Sequence, residues 1–269
     1  MENRKGVILQ AHVDMVPQKN NDTKHDFEND PILPRIEGEW IKATGTTLGA
    51  DNGIGVAAVL AVLEDKNLVH GPIEALFTID EETGMTGAFG LKAGELEGDI
   101  LLNLDSETEG ELYVGCAGGI DATIRFDFKK EAMPSSYSAF ELTVKGMKGG
   151  HSGMDIILGR GNANKTLFRI LKALEAVDVR LGNINGGSLR NAIPREAFCT
   201  IAVPTDKAQE AMNIVKELEA VVKSELSAVE PDLIITMTEA SSCEFVMDTD
   251  AAKRVVRAIY ACPNGVYRM

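Results

Sequence analysis

Short apolar runs alternate with helix-forming stretches through the first part of the chain. Residues 6–16 are rich in β-branched and other apolar side chains and end at Pro17, which predicts a buried strand running into a loop. Further apolar runs predict strands at 73–79 and 100–104, and helix-forming composition predicts helices at 56–64 and 87–92. Because alternating strands and helices imply crossover connections, we expect an α/β domain whose mostly parallel sheet is covered by helices on both faces.

The pattern changes after Gly118 and Gly119. Alternating positions predict strands at 122–128, 140–144, 197–203 and 233–238, and helical patterns predict helices at 163–176, 206–226 and 250–260. This order of strands and helices is typical of an α+β unit with one open sheet face. We therefore expect two domains, at residues 1–117 and 118–269.

The composition argues against two classes of partner, nucleic acids and membranes. Lys and Arg number 27 against 41 Asp and Glu, which gives a formal net charge of −14. The 44% hydrophobic and 25% charged fractions are typical of a globular protein, and no apolar run approaches the roughly 20 residues that cross a bilayer. The four cysteines lie far apart without C-x-x-C spacing, which favours reduced thiols in a cytoplasmic protein.

Acidic side chains and a histidine follow the predicted parallel strands. His12 and Asp14 come at the end of the first, Glu81 and Glu82 after the second, and Asp105 after the third. Asp51 lies in a glycine-rich turn that leads into a predicted helix. Because ligand sites in open α/β sheets lie outside the carboxyl ends of the strands, these groups can converge in one crevice.

Several carboxylates in one crevice need a countercharge, because like charges a few ångströms apart raise one another's pKa. A divalent cation supplies that charge, and imidazole together with carboxylate oxygens suits zinc, manganese or cobalt. One carboxylate between two ions forms a two-metal site, which activates a water for attack on a carbonyl. A spare carboxylate is then available as the general base.

Each of these residues also has a purely structural interpretation. His12 is compatible with a buried core histidine, Asp14 and Asp105 with turn or cap residues, and Asp51 with a helix N-cap. Glu81 and Glu82 are compatible with a solvated helix start. Their joint occurrence at successive strand ends favours the metal site.

The chain resembles the aminoacyl-histidine dipeptidases of the zinc-dependent M20 peptidases. Seven motifs, in the family's order and spread over nearly the whole chain, carry the resemblance: HVDMVP at 12–17, GTTLGADNG at 45–53, DEETGM at 80–85, NLDSE at 103–107, VGCAGG at 114–119, GGHSGMD at 149–155 and GRGNANK at 159–165. The resemblance implies a catalytic domain followed by a domain that serves as lid and dimerisation surface.

The resemblance also implies a role for each site residue of the first domain. His12 and Asp105 would bind one zinc ion, Glu82 would bind a second, and Asp51 would bridge the two, with Mn²⁺ or Co²⁺ as alternatives. Asp14 would orient the His12 imidazole. Glu81 would take a proton from the attacking water and later pass it to the leaving amine. The Asp51–Asn52 peptide bond would be cis.

In the second domain the resemblance implies substrate-binding residues and a homodimer. His151 would reach the substrate carbonyl, in the site of the partner subunit, and stabilise the oxyanion. Asn191 and Arg195 match lid positions near the substrate carboxylate, although these two residues by themselves fit equally well a turn before a strand that begins near Pro194.

Two features depart from the family. The strand that bears His12 begins within about ten residues of Met1, and no histidine of the sequence matches the further ligand that the family supplies to the second metal after its lid. The remaining histidines, His25 and His70, lie in loop-like surroundings. We therefore expect a fragment in which both domains are incomplete and the second metal is weakly held.

Three functions are compatible with these observations. The leading hypothesis is a metal-dependent dipeptidase that cleaves Xaa-His and related dipeptides, favoured by residues 12–20 and 159–165. Another M20 amidohydrolase, such as an N-acyl amino acid deacylase, would share the metal residues. A noncatalytic remnant that acts only in dimerisation is the alternative outside enzymes.

Overall fold

The chain folds into two units that divide between Gly118 and Gly119 in a computed structural model that describes residues 4–268. We refer to residues 4–118 as unit 1 and to residues 119–268 as unit 2. The division lies next to the boundary that the sequence predicts, and the roles assigned to the two parts stay a prediction. Within residues 4–268, none of the helices combines the length and apolar character that a membrane crossing requires.

Unit 1 contains the predicted alternating strands and helices, with two further strands between the first strand and the first helix. In chain order they are β1 (Val7–His12), β2 (Pro34–Glu37), β3 (Trp40–Ala43), α1 (Ala50–Glu64), β4 (Ile73–Thr78), α2 (Thr86–Gly90) and β5 (Ile100–Asn103).

A three-stranded parallel sheet in the order β4-β1-β5 is the frame of unit 1. The strand β1 lies in the middle, where Val7 pairs with Ile73 on one side and Ile100 on the other. Helix α1 packs on this sheet, and the side chains of Ala11 and Val59 are fully buried there. The predicted parallel α/β arrangement is thereby confirmed. All three strands end at the same edge, which is where the candidate site residues follow.

Unit 2 is an antiparallel sheet covered by helices. Its elements are β6 (Lys130–Glu131), β7 (Tyr137–Lys145), β8 (Gly150–His151), α3 (Ala163–Leu174), β9 (Arg180–Gly186), β10 (Ala192–Ile193), β11 (Ala197–Pro204), α4 (Ala208–Leu226), β12 (Ile234–Glu239), β13 (Val246–Met247) and α5 (Thr249–Ala261).

The four-stranded sheet of unit 2 has the order β12-β7-β11-β9, and helices α3 and α4 pack against it. Helix α3 begins at an N-cap, Asn162, whose side chain accepts the Lys165 N–H at 3.1 Å. Its apolar residues recur at helical spacing and meet the sheet in one cluster. The buried members of that cluster include Phe140, Leu142, Val144, Leu167, Ile170, Leu171, Leu174, Ile201 and Ile235.

The predicted strand at 122–128 is wrong, because these residues form no regular element. Ile120 and Ile124 are largely exposed, and an alternating stretch becomes a strand only where a neighbouring strand accepts its hydrogen bonds. The hairpin of β2 and β3 was not predicted. Its turn uses Gly38 at a φ of 64°, a conformation that suits glycine in a tight hairpin.

Candidate functional site

The carboxyl ends of the three parallel strands bring the predicted metal ligands of unit 1 together. His12 is the last residue of β1, Asp105 follows β5, and Glu81 with Glu82 follows β4. Asp51 lies at the start of α1, next to the same edge. These side chains lie close together in the structure, as the sequence predicts.

His12 is almost completely buried and its two ring nitrogens have different neighbours. The Nδ1 atom lies 2.9 Å from the Asp14 backbone oxygen. A carbonyl oxygen can only accept, so Nδ1 carries the proton and the neutral ring presents a lone pair at Nε2. That Nε2 atom lies 3.2 Å from Asp51 Oδ1 and 3.3 Å from Asp105 Oδ1.

Three electron-rich atoms therefore converge on one point, and the arrangement fits a bound cation. The ligand atoms of His12, Asp51 and Asp105 all lie within 4.8 Å of one another. A tetrahedral ion with bonds of about 2.0–2.1 Å separates neighbouring ligands by about 3.3 Å, which agrees with both distances to Nε2. Asp105 Oδ1 is buried and lacks a hydrogen-bond donor among the described residues, as expected of an atom that ligates a metal.

Glu81 and Glu82 form a second group with His12, whose ligand atoms also lie within 4.8 Å of one another. Asp14 connects the two groups. Its Oδ1 accepts the Glu81 N–H and its Oδ2 the Glu82 N–H, both at 3.2 Å. The same Oδ1 lies 3.4 Å from His12 Nδ1, farther than the Asp14 backbone oxygen. Asp14 therefore contacts the imidazole mainly through its backbone and uses its carboxylate to hold the two glutamates.

The pKa values of the site residues are shifted in the way that several nearby negative charges produce. Burial, followed by Asp51 and Glu81, raises the pKa of Glu82 to about 7. Burial and Asp51 raise the pKa of Asp105 to about 6. Burial lowers the pKa of His12, but Asp105 and Asp51 outweigh it and leave that pKa raised. Burial opposes ionisation of Asp14, yet the Glu82 and Glu81 amides hold its pKa below the ordinary value. A divalent cation would relieve the repulsion.

Asn52 is a residue of this site to which the sequence assigned no role. Its side chain is buried, and its Nδ2 donates to the Leu104 backbone oxygen at 2.8 Å, which joins the start of α1 to the segment before Asp105. The Asp51–Asn52 peptide bond is cis, as expected from the resemblance. The signal was the position of Asn52 beside Asp51 in a glycine-rich turn, but no pattern of the sequence indicated burial.

In unit 2 the candidate lid residues lie around the short β8–β10 pair. His151 on β8 is paired with Ala192 on β10, and the Ser152 N–H donates to the Asn191 backbone oxygen at 2.7 Å. Arg195 follows β10, and its side chain lies against Gly149: a Cβ placed on that glycine would be 2.9 Å from Arg195 Cδ. The backbone segments that carry His151, Asn191 and Arg195 are thus neighbours in unit 2.

The His151 ring is oriented by its own loop. Its Nδ1 accepts the N–H groups of Gly153 at 3.0 Å and Met154 at 3.1 Å. Because Nδ1 is an acceptor, the proton of the neutral ring lies on Nε2. His151 is exposed, so this Nε2–H is available as a hydrogen-bond donor.

Comparisons with known proteins extend over both units. A family profile of the M20 type, described as a peptidase dimerisation domain, matches residues 142–230. Cytosol non-specific dipeptidase from Escherichia coli (strain K12) is 55% identical over 269 residues, which is 100% of this chain and 56% of that protein. Peptidase T from Escherichia coli O9:H4 (strain HS) is 44% identical over 59 residues, 20% of this chain and 14% of that protein.

The match to a solved structure also covers the whole chain. The crystal structure of aminoacylhistidine dipeptidase from Vibrio alginolyticus has 56% sequence identity and a TM-score of 0.65, and the match covers 100% of this chain and 55% of that one. The chain therefore spans about half the length of this crystal structure's chain and of the cytosol non-specific dipeptidase.

Proposed function

The chain belongs to the M20 family of peptidases, and from this premise we propose that the protein is a metal-dependent dipeptidase that hydrolyses Xaa-His and related dipeptides. The names of two relatives that are similar to the whole chain, a cytosol non-specific dipeptidase and an aminoacylhistidine dipeptidase, support this substrate class. The chain spans about half the length of these relatives, so the proposed activity is that of the longest natural polypeptide that contains this chain. We call that polypeptide the long form.

A single observation carries the proposal: His12 Nε2 lies 3.2 Å from Asp51 Oδ1 and 3.3 Å from Asp105 Oδ1 at the carboxyl edge of a parallel sheet. Family membership implies a divalent metal, and one imidazole with two carboxylates suits zinc, with manganese or cobalt as alternatives. His12, Asp51 and Asp105 would hold the first ion. Glu82 would hold a second ion, and Asp51 would contribute to both.

A metal held by these residues would supply two things, polarisation of the scissile carbonyl and a lower pKa for water. The remaining chemistry belongs to side chains of this protein. Glu81 takes a proton from the attacking water and passes it to the leaving amine nitrogen. Asp14 supports both steps, because its carboxylate accepts the Glu81 and Glu82 amides while its backbone oxygen fixes the His12 ring.

The lid contributes recognition of the substrate. The His151 Nε2–H donates to the oxygen on which negative charge develops, and Asn191 and Arg195 bind the substrate carboxylate. The profile of a dimerisation domain over residues 142–230 supports a homodimer. In this dimer, the proposal assigns His151 to the site of the partner subunit. The word cytosol in the name of one relative supports a cytoplasmic location.

Metal content and turnover of the long form test the proposal. We expect bound zinc and hydrolysis of β-alanyl-histidine and glycyl-histidine. Asp105→Asn should lose both, whereas Glu107→Gln, a change of an exposed carboxylate two residues away, should retain both. Absence of metal and of dipeptide hydrolysis would contradict the proposal, and hydrolysis of N-acetyl amino acids in place of dipeptides would favour a deacylase.

A further inference from the structure

A buried carboxylate lies at the base of the loop that carries His151. Among the acidic residues that the structure describes, only Glu230 is buried, with 2% of its surface exposed. It follows α4, and its backbone N–H donates to the Leu226 oxygen at 2.8 Å. Acidic side chains are seldom buried unless every oxygen finds a partner, so its contacts indicate what holds it there.

Both oxygens of Glu230 accept backbone N–H groups of the same loop. Oε2 accepts from Lys148 and Oε1 from Gly161, each at 2.8 Å. These two amides are the ends of residues 148–161, which we call the His151 loop. One carboxylate therefore joins the two ends of the loop, and it does so through backbone groups.

The interior of the His151 loop is braced by an ion pair. The His151 N–H donates to Asp155 Oδ2 at 2.9 Å, and Arg160 Nη1 lies 3.1 Å from the same oxygen. Arg160 Nη1 also donates to the Gly149 backbone oxygen at 2.7 Å. These contacts connect the His151 backbone to the rest of the loop, so we expect a shift of the loop ends to displace the His151 ring.

The Glu230 side chain packs closely against Gly161 beside two apolar side chains. A Cβ placed on Gly161 would lie 3.2 Å from Glu230 Cγ, 3.0 Å from Met147 Sδ and 3.1 Å from Leu226 Cδ1. A carboxylate offers two acceptors to two N–H groups. A glutamine of the same shape offers one acceptor and turns an NH₂ donor toward the other amide.

We propose that Glu230 is a positioning residue for the hydrolytic reaction, which holds the two ends of the His151 loop and thereby sets the place of the His151 ring. This inference rests on the proposed function, in which His151 stabilises the oxyanion. An oxyanion donor acts only when it is aimed at the developing charge, so misplacement of the loop lowers kcat more than it raises KM.

A double-mutant cycle in the long form tests whether Glu230 acts through His151. Glu230→Gln should lower kcat about 10- to 100-fold with little change in KM, because small misplacements of catalytic groups have costs of this order. Glu225→Gln changes a glutamate of α4 that pairs with Arg169 on the surface, and it should leave turnover unchanged. In a His151→Ala background, Glu230→Gln should have no further effect. Full additivity of the two losses overturns the inference.

Measurements on the full 269-residue chain separate this inference from the proposed function. The Lys148 and Gly161 amides should exchange slowly with solvent, and Glu230→Gln should abolish that protection and shift the NMR resonances of the His151 ring, whereas Glu225→Gln should do neither. Fast exchange of both amides in the unaltered chain overturns the inference, even where the Gln variant does not fold. Unchanged His151 resonances in the folded variant also overturn it. A different result tests the proposed function: undiminished turnover of His151→Ala in the long form would contradict the assigned role of His151 in catalysis.

Discussion

The two units hold their candidate site residues by different means. In unit 2, buried apolar side chains from α3, α4 and the antiparallel sheet form a continuous core, and the groups around His151 find partners within the chain. In unit 1, the fully buried apolar side chains are few, namely those of Ala11 and Val59. Several large apolar side chains of unit 1 are exposed instead. They are Leu60 and Leu63 on α1 and Ile100, Leu101 and Leu102 on β5.

This difference between the two units indicates which of the two candidate sites depends on a bound ligand. The polar atoms of the His151 loop are paired by Glu230, Asp155 and Arg160, so that site is organised by the chain itself. The carboxylates around His12 repel one another and leave Asp105 Oδ1 without a donor among the described residues. Functional sites often accept such local instability. We therefore expect the site of unit 1 to be completed by a cation and that of unit 2 to need none.

Of the changes that we predict, Glu81→Gln should have the largest effect, a loss of turnover without a loss of metal. In the long form it should lower turnover by about 10²- to 10⁴-fold, because the amide cannot accept the proton of water. Metal content should persist, since Glu81 is outside the proposed ligand set. Glu82→Gln is the matched change, which should lose the second ion. Loss of metal with retained turnover in Glu81→Gln would refute this separation of roles.

Truncation of one leucine in each unit tests the contrast in packing. Leu171→Ala in unit 2 should lower the free energy of unfolding of that unit by about 2–5 kcal/mol, because it opens a cavity in the core. Leu102→Ala on β5 should change the stability of unit 1 by no more than about 0.5 kcal/mol, because the side chain is 46% exposed. Chemical denaturation followed by hydrogen exchange in each unit measures both. Equal losses would show that the two units are packed alike.

The elements that the sequence predicts well are those whose hydrophobic pattern matches their surroundings. Helix α3 has its apolar residues at helical spacing and begins at Asn162, and it was expected within a few residues of where it lies. The stretch at 122–128 alternates as a strand does but has no neighbour to pair with. Strand β8 and strand β10 are two residues each, too short for any periodicity. Their pairing depends on tertiary contacts that no local pattern reports.

The candidate site residues likewise fall into those that the sequence predicts and those that it does not. The sequence alone places His12, Asp51 and Asp105 at strand ends and a helix start, and topology then requires them to meet. The roles of Asn52 and Glu230 could not be predicted, because an amide and an acid become informative only when burial and partners are known. Covering of the sheet on both faces was expected from parallel topology, yet Ile100, Leu101 and Leu102 of β5 remain exposed in the described part of unit 1.

Zinc should stabilise unit 1 and leave unit 2 unchanged. A cation that binds only the folded state contributes about 2.7 kcal/mol when its free concentration is 100 times the dissociation constant. Hydrogen exchange of the full chain with zinc and with a chelator measures the effect in each unit. Asp51→Asn should abolish the stabilisation of unit 1, whereas Asp155→Asn in unit 2 should leave it intact. Equal stabilisation of both units would contradict a site confined to unit 1.

The smallest expected effect is the pH dependence of metal-free unit 1. Glu82 and Asp105 have folded pKa values raised to about 7 and about 6 from 4.5 and 3.8, so the folded state binds more protons than the unfolded state between those values. The raised pKa of His12 acts in the same direction, since its stabilising charge is lost as pH rises through the folded value. The depressed pKa of Asp14 acts below the unfolded value of 3.8, outside this window.

Stability of unit 1 in chelator should therefore fall as pH rises from about 4 to about 7, by an amount on the order of 1 kcal/mol after solvent screening. Hydrogen exchange of the β1 amides across this range measures the fall. Asp105→Asn should flatten the part of the curve below about pH 6, because an amide does not titrate there. Added zinc should reverse the slope, since protons then compete with the metal for the same carboxylates. A metal-free unit 1 that gains stability with rising pH would show that these carboxylates do not repel one another, and the need for a cation would lose its physical basis.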